Sequence, residues 1–258
     1  MKVHPTSIIH PRAQIAASVS VGPYTVIGEG VELGEDCEVM SHVVLGGPTK
    51  LGKQNRIFPY ASLGLDPQDM KYHGESTRLE IGDSNTFREF VTVHRGTSGG
   101  GGVTRIGNHN LLMAYVHIAH DCQLGDRIIM ANGASLAGHV EIGDHATLGA
   151  FCGIHQFTRI GVHSFLGAYS GVNKDILPYS KTTVDRPLTV LGPNRIGLER
   201  SGLSKSDVDE LDAAFRLLSR SKLNTTQALE AIEAQGFHSG HVKALVEFIK
   251  TSERGVVK

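Results

Sequence analysis

Residues 106–147, written six to a group, read IGNHNL LMAYVH IAHDCQ LGDRII MANGAS LAGHVE IGDHAT, and every group opens on an apolar residue: Ile106, Leu112, Ile118, Leu124, Met130, Leu136, Ile142. A period of six suits neither a helix, which repeats about every 3.6 residues, nor a simple alternating strand. The same beat extends both ways. It runs from Val3 through Ile9, Ile15, Val21, Ile27, Leu33, Val39, Leu45, Leu51 and Ile57 to Leu63, resumes at Ile81, Phe87 and Val93, and after Ile142 continues through Leu148, Ile154, Ile160 and Leu166 to Val172. Glycine often follows the aliphatic residue, as at Gly22, Gly34 and Gly143, which suits a tight turn or unusual backbone angles. Four residues after it sits something small or β-branched, such as Thr25, Cys37, Asn55, Val91, Cys122 or Ala134. Each unit therefore reads as a short strand and a turn. Such a unit cannot bury its aliphatic face alone, but stacked coils share one continuous core, which is the logic of a parallel β-helix.

The beat is broken twice. Leu65–Arg78 (LDPQDMKYHGESTR) delays the next aliphatic position to Ile81, in the original phase, and is expected to be a loop thrown out from one edge. Ser98–Arg105 (SGGGGVTR) shifts the phase by one and is expected to be flexible and exposed. Loops on a regular scaffold commonly carry function, although insertions without a role are also tolerated there. Beyond Val172 the period fails, and from Asn194 the pattern becomes helical. Ser206 with Asp209 reads as a capping pair ahead of Val208, Leu211, Phe215 and Leu218; a second run carries Leu229 and Ile232 and stops at Gly236; a third has Val242, Leu245, Val246 and Ile249. The expected organisation is a coil over residues 1–190, with inserted loops near 65–78 and 98–105, and a helical domain over 191–258 that caps its open end.

With 258 residues, 40% of them hydrophobic, the chain can bury a sizeable core. A net charge of -1 offers no global basic field for nucleic acid, so any charged partner must be met locally. No apolar run has the length of a signal peptide or a membrane span, and a cytoplasmic location without stable membrane insertion is expected. Cys37, Cys122 and Cys152 are odd in number and match no zinc spacing, so they read as small core residues.

The hexad resembles that of the hexapeptide-repeat acyltransferase superfamily. That resemblance, which covers Val3 to about Val172, implies a mainly β protein: a left-handed parallel β-helix with three units per turn and, here, a C-terminal α-helical domain. The period itself shows only the six, and left-handed connections run against the usual crossover rule. With three units per turn, Ile118, Leu136, Ile154 and Val172 stack in a column. His120, His139 and the pair His155–Gln156 then line one face, which His94 joins if the glycine-rich insertion occupies a corner. Histidine is the side chain best placed to take a proton near neutral pH, and the carboxylate of Asp121, next to His120, can fix its tautomer and stabilise the imidazolium. The alternative is a ladder of polar turn residues with no chemistry.

The runs VHIAHDC, VHRGT (from Val93), LAGHV (from Leu136), IHQF (from Ile154) and PQDMKY resemble the UDP-N-acetylglucosamine acyltransferases that open lipid A biosynthesis. The resemblance implies transfer of a 3-hydroxyacyl group from acyl carrier protein to the 3-position of UDP-N-acetylglucosamine, by a homotrimer, with neither metal nor other cofactor. It makes His120 the general base, Asp121 its orienting acid and the Gly138 N–H the oxyanion donor. His94, His117, His139, His155 and Gln156 line the sugar and pantetheine path. Gln68, Asp69 and Lys71 reach the sugar nucleotide from a neighbouring subunit, Asn194 and Arg200 contribute from the tail, and Ala168 forms the acyl-chain ruler. Ile196 and Ser201 depart from the family's pattern, which leaves the nucleotide contacts open, as does the choice between a hydroxyl and an amino group at carbon 3 of the acceptor. Lys205, Arg216, Arg220 and Lys222 offer a local basic patch for the acidic carrier, against the plainer reading of a solvated helix face. Two rivals remain: a zinc enzyme using His94, His117 and His120, and a non-enzymatic sugar-binding solenoid.

Overall fold

The computed structural model describes residues 2–185, 187–221 and 223–258. Short strands, mostly of two residues, stack into three sheets of eleven, nine and eight strands among the described residues; up to Val172 all pairing is parallel, each strand with the third one after it in sequence. This is a left-handed parallel β-helix. The register advances by 18 residues where the hexad is unbroken, as in Ser20↔Glu38 and His117↔Ser135. In the nine-stranded sheet the column Ile27, Leu45, Leu63, Val93, Ile118, Leu136, Ile154, Val172 points inward, no member more than 3% exposed. The small fourth-position residues turn inward at the corners. There the Cys37, Cys122 and Cys152 thiols donate to carbonyls of the next coil at 3.1–3.2 Å, and burial pushes the Cys122 thiol up to about 12. They are the structural cysteines expected.

The glycines play a different part from the one expected. Gly22 and Gly34 do not have left-handed backbone angles; a Cβ there would lie 2.8 Å from the Met40 carbonyl carbon and 2.6 Å from that of Gly52, so what they permit is close approach of successive coils. The left-handed corner falls three residues after the aliphatic position and is occupied mostly by larger side chains, including Tyr24, His42, Tyr60, Phe90, Tyr115, Asp121 and His139, with φ between 57° and 65°. Such a conformation costs about 1–2 kcal/mol per residue. Stacking offsets part of it: Tyr24, His42, Tyr60, Phe90 and Tyr115 lie ring on ring, with centroids 4.8–5.1 Å apart.

Both interruptions are local. Residues 66–77 leave the stack between strands Ser62–Leu65 and Arg78–Ile81. The second is more ordered than expected. Ser98–Gly100 form a single 3-10 turn, and Val103–Ile106 is already a strand, paired residue for residue with Arg78–Ile81, with Val103 and Thr104 buried. Nor does the coil stop where the hexad does, since Ser180–Thr182 still adds to the eleven-stranded sheet before turning back against Val190–Pro193.

Four helices follow: α1 (Arg195–Arg200), α2 (Lys205–Phe215), α3 (Thr225–Ala234) and α4 (Gly240–Lys250). The cap of α2 is Ser204, which accepts from the Asp207 N–H, two residues earlier than the Ser206/Asp209 pair expected. Of the expected basic patch, Arg216 pairs with Asp212 at 2.6 Å and Lys205, almost fully exposed, approaches Asp209 at 4.0 Å. Lys222 and the side chain of Arg220 lie outside the described residues. No described helix is long and apolar enough to cross a membrane.

A ladder of asparagines fills one corner. Asn55 Oδ1 accepts from Asn85 Nδ2 and from the Asn85 N–H, Asn85 Oδ1 accepts from the Asn110 N–H, and Asn110 Oδ1 accepts from the Ile128 N–H. All three asparagines are at most 2% exposed. Asn85→Ala strands the Asn110 N–H in a dry corner, removes the bonds that Asn85 Nδ2 gives to Asn55 Oδ1 and Gly107 O, and should lower unfolding free energy by about 2–4 kcal/mol. Urea unfolding measures it, and a loss below about 1 kcal/mol would mean that water takes the vacated place.

Candidate active site

The corner after strand His117–Ile118 places His120 and Asp121 side by side, with His120 Nδ1 2.8 Å from Asp121 Oδ2. The Asp121 side chain is fully buried, that of His120 15% exposed. Thr97 grips the same carboxylate: its N–H donates to Oδ1 at 2.8 Å and its hydroxyl to Oδ2 at 2.6 Å. Burial alone would raise the Asp121 carboxyl, but the bonds from His120 and Thr97 hold it below the usual aspartate range. Asp121 is therefore an anion whose charge is directed at one imidazole.

The next coil brings Gly138 beneath the ring. A Cβ there would lie 2.6 Å from His120 Cε1 and 2.8 Å from Nε2, so only glycine lets the imidazole sit over this corner. Gly138 is buried, and its N–H donates to no protein acceptor among the described residues. A proton acceptor and an unpaired backbone donor thus share one corner.

Other histidines surround the pair. His139 meets His120 edge-on at 5.2 Å, and its Nε2 is 3.8 Å from Asp121 Oδ2; its other face stacks on Phe157 at 4.4 Å. His117, on the same coil as His120, meets His94 of the coil before edge-on at 5.2 Å, and His117 Nδ1 bonds Thr92 Oγ1 at 2.7 Å. Burial pushes His117 and His139 down, and burial with the neighbouring His117 and His120 pushes His94 down to about 4. His94 Nδ1 is buried with no partner among the described residues. His155 and Gln156 are exposed; Arg254 lies 3.2 Å from His155 Nδ1.

The face runs on into a groove of about 1460 Å³ that includes His117 and His155 and is closed on one side by the C-terminal segment. Its floor follows the outward column His117, Ser135, Gly153, Gly171, and the two glycines leave open space above the sheet.

Not all expected residues gather here. Gln68 and Lys71 are exposed on the loop, where Asp69 accepts from the Lys71 N–H; Asp69 stands near enough to the chain's own His139 for its charge to favour protonation there, so the loop already addresses its own face and not just a neighbour's. That loop is anchored by Arg95, which was not anticipated: its guanidinium donates to Gly47 O, Gly64 O, Asp66 and Tyr72 Oη. Asn194, Ile196, Arg200 and Ser201 line a separate cavity of about 450 Å³ against the eleven-stranded sheet. Asn194 there also caps α1 and donates to His163 O. Ala168 sits at a corner beside Gly149 and does not line the groove of its own chain. Within one chain the zinc trio is not assembled either: among the described residues the ligand atoms that come within 4.8 Å of one another belong to His120, Asp121 and His139, with both Asp121 oxygens already hydrogen-bonded.

The depressed histidines carry a pH signature. His94 and His163 both take up a proton less readily folded, near 4, than in the unfolded chain, near 6.5. Protonation therefore favours unfolding, and stability should be intact above pH 6.5 and fall as the pH drops towards 4. Chemical unfolding at pH 7 and pH 5 should show the loss; His94→Gln and His163→Gln should each flatten it, and a slope unmoved by both would assign it to other groups.

Comparison with known proteins follows the same lines. Residues 175–257 match the profile of UDP N-acetylglucosamine O-acyltransferase domain 2, and residues 104–138 that of the bacterial transferase hexapeptide. The acyl-[acyl-carrier-protein]–UDP-N-acetylglucosamine O-acyltransferases of Thermodesulfovibrio yellowstonii and Halorhodospira halophila are 44% and 48% identical, over 100% of this chain and 99% of each relative. The crystal structure of UDP-N-acetylglucosamine O-acyltransferase from Moraxella catarrhalis superposes with a TM-score of 0.96 at 43% identity, covering 100% of both chains. With its repeat, its helical tail and its full length all matched, the chain belongs to the acyl-[acyl-carrier-protein]–UDP-N-acetylglucosamine O-acyltransferase family.

Proposed function

We propose that this protein transfers a 3-hydroxyacyl group from acyl carrier protein to the 3-hydroxyl of UDP-N-acetylglucosamine, the first step of lipid A biosynthesis, with His120 as general base. The observation that carries the mechanism is the shared corner: a carboxylate-paired imidazole over a glycine with a free N–H. A sugar hydroxyl is a weak nucleophile at neutral pH. His120 Nε2 removes its proton as the oxygen attacks the thioester carbonyl, and Asp121, through Nδ1, stabilises the imidazolium. The Gly138 N–H receives the oxyanion. When the tetrahedral intermediate collapses, the carrier's thiolate leaves and takes back the proton from His120. The scheme uses no cofactor. The curated relatives named above are O-acyltransferases, which favours a hydroxyl over an amino acceptor.

Within one chain, Asn194, Arg200 and Ala168 stand apart from His120, on the side of the eleven-stranded sheet. We propose a homotrimer in which that side of one subunit faces the histidine face of the next. The loop with Gln68, Asp69 and Lys71 closes over the sugar nucleotide, and His94, His117, His139, His155 and Gln156 line the path of sugar and pantetheine.

Release of free thiol from 3-hydroxyacyl carrier protein in the presence of UDP-N-acetylglucosamine tests the reaction. His120→Ala should lower turnover about 10²–10⁴-fold with sugar-nucleotide binding largely kept, and Asp121→Asn should cost less. Near-normal turnover of His120→Ala would remove it as the base; stoichiometric zinc, lost together with activity on chelation, would replace the scheme by a metal one.

The ruler has its own test. Each buried methylene contributes about 0.8 kcal/mol, so a difference of two corresponds to roughly fifteen-fold in preference. Ala168→Met should shift preference to a shorter chain, and Ala168→Gly to a longer one. Competition among hydroxyacyl carrier proteins reads the shift, and an unchanged profile in both would move the ruler elsewhere, with the open floor at Gly153 and Gly171 the next place to substitute.

A further inference from the structure

We infer that Thr97 and the glycine turn that follows it form the positioning device of the catalytic pair: Thr97 clamps both oxygens of Asp121, and Gly100 seals the carboxylate from water. The inference rests on the reading of His120 as base. Asp121 stands at a left-handed corner, φ 61°, where the side chain leaves the coil and the strand ladder does not set its direction. Something else must set it. The Thr97 N–H addresses Oδ1 and the Thr97 hydroxyl Oδ2, so rotating the carboxylate towards any other partner breaks two bonds at once. The backbone is pinned as well, because the Asp121 N–H donates to Thr104 Oγ1 at 2.8 Å.

The glycines explain the seal. The N–H groups of Gly100 and Gly102 both donate to Thr97 O, at 3.1 and 2.8 Å, which wraps the turn around Thr97. A Cβ at Gly100 would lie 2.0 Å from Asp121 Cγ, so a bare Cα closes over the carboxylate and leaves its side chain with no exposure. Unsealed, the anion would be shared with water and its pull on His120 reduced. The insertion thus occurs at the one described corner that carries the His120–Asp121 pair.

The charged and titratable groups facing the pair are His94 from the preceding coil, His117 from the same one, His139 from the next, and Asp69 and Glu75 from the loop, Glu75 through Ser98 Oγ at 3.3 Å. None replaces the Thr97 bonds.

The test compares Thr97→Val, Thr97→Ser and Gly100→Ala with the parent enzyme, reading kcat, KM for the sugar nucleotide, the acid limb of kcat/KM against pH and the NMR titration of His120. Thr97→Val removes a hydrogen bond to a charged group at nearly constant volume and should lower kcat by about 10–100-fold, with KM changed by less than about threefold. Loosened from the clamp, the carboxylate is shared with water and pulls less on the imidazolium, so the acid limb of kcat/KM should shift to lower pH. Thr97→Ser should restore both kcat and the acid limb. Gly100→Ala, on a turn outside the apolar core and without a left-handed φ, should lower kcat in the same way and decides the matter should Thr97→Val fail to fold. Folded Thr97→Val or Gly100→Ala with the parent's kcat and acid limb would overturn the clamp. His120→Ala run alongside separates the two claims: if it stays active, the base reading falls; if it is inactive while Thr97→Val behaves like the parent, only the clamp falls.

Discussion

Every coil of this protein is hydrogen-bonded in parallel to the next, and that single constraint fixes where its chemistry can be. Stacked strands lie about 4.8 Å apart, so a residue at one corner has its neighbours set within hydrogen-bond or ring-contact reach on the coils before and after. The His120 ring can rest on Gly138 and meet His139 because the main chain leaves those three no other separation. The difficulty of holding an imidazole, its carboxylate partner and an unpaired N–H in place is met by a ladder that also holds the whole molecule together.

The insertions work because they break that register by whole loops and then restore it. Pairing across them spans 30 residues at Arg56↔Thr86 and 25 at Thr92↔His117, yet the apolar column passes both without a gap. Material can therefore be added at the corners next to the site without disturbing the core beneath. One insertion carries the loop with Asp69, tied down by Arg95; the other brings Thr97 to Asp121.

How legible this was in the sequence follows from what each feature depends on. The inward cysteines depend on the period, which the hexad supplies; the columns and the alignment of the histidine face depend also on three units per turn, which comes from the family resemblance. The role of the glycines depends on which backbone atom approaches from the next coil, which no single repeat reveals. The α2 cap fell two residues early because Ser204/Asp207 and Ser206/Asp209 offer the same spacing, and packing chose between them. Arg216 and Lys205 of the basic patch have Asp212 and Asp209 one turn away on the same helix, a signal that was present in the sequence. Thr97 was the hardest to foresee. Its partner is 24 residues on, a distance that becomes meaningful only once the second insertion is known to lengthen that coil to 25. Asn194, Arg200 and Ala168 stay remote from His120 because a chain pattern assigns residues to faces and says nothing of which faces meet.

A crowd of histidines around one base poses an electrostatic problem of its own. Were His94, His117, His120 and His139 all cationic near neutral pH, their mutual repulsion would oppose protonation of His120 at the moment it takes up a proton. Burial removes that conflict by holding His94, His117 and His139 below the usual histidine range, which favours their neutral form. The one full charge left in the corner is Asp121, and its oxygens are committed to Thr97 and His120. What sets His120 apart among the four is its carboxylate partner and not its depth in the coil: its Nδ1 meets Asp121 Oδ2 at 2.8 Å, while its side chain, 15% exposed, is no more open than that of His139 at 24%.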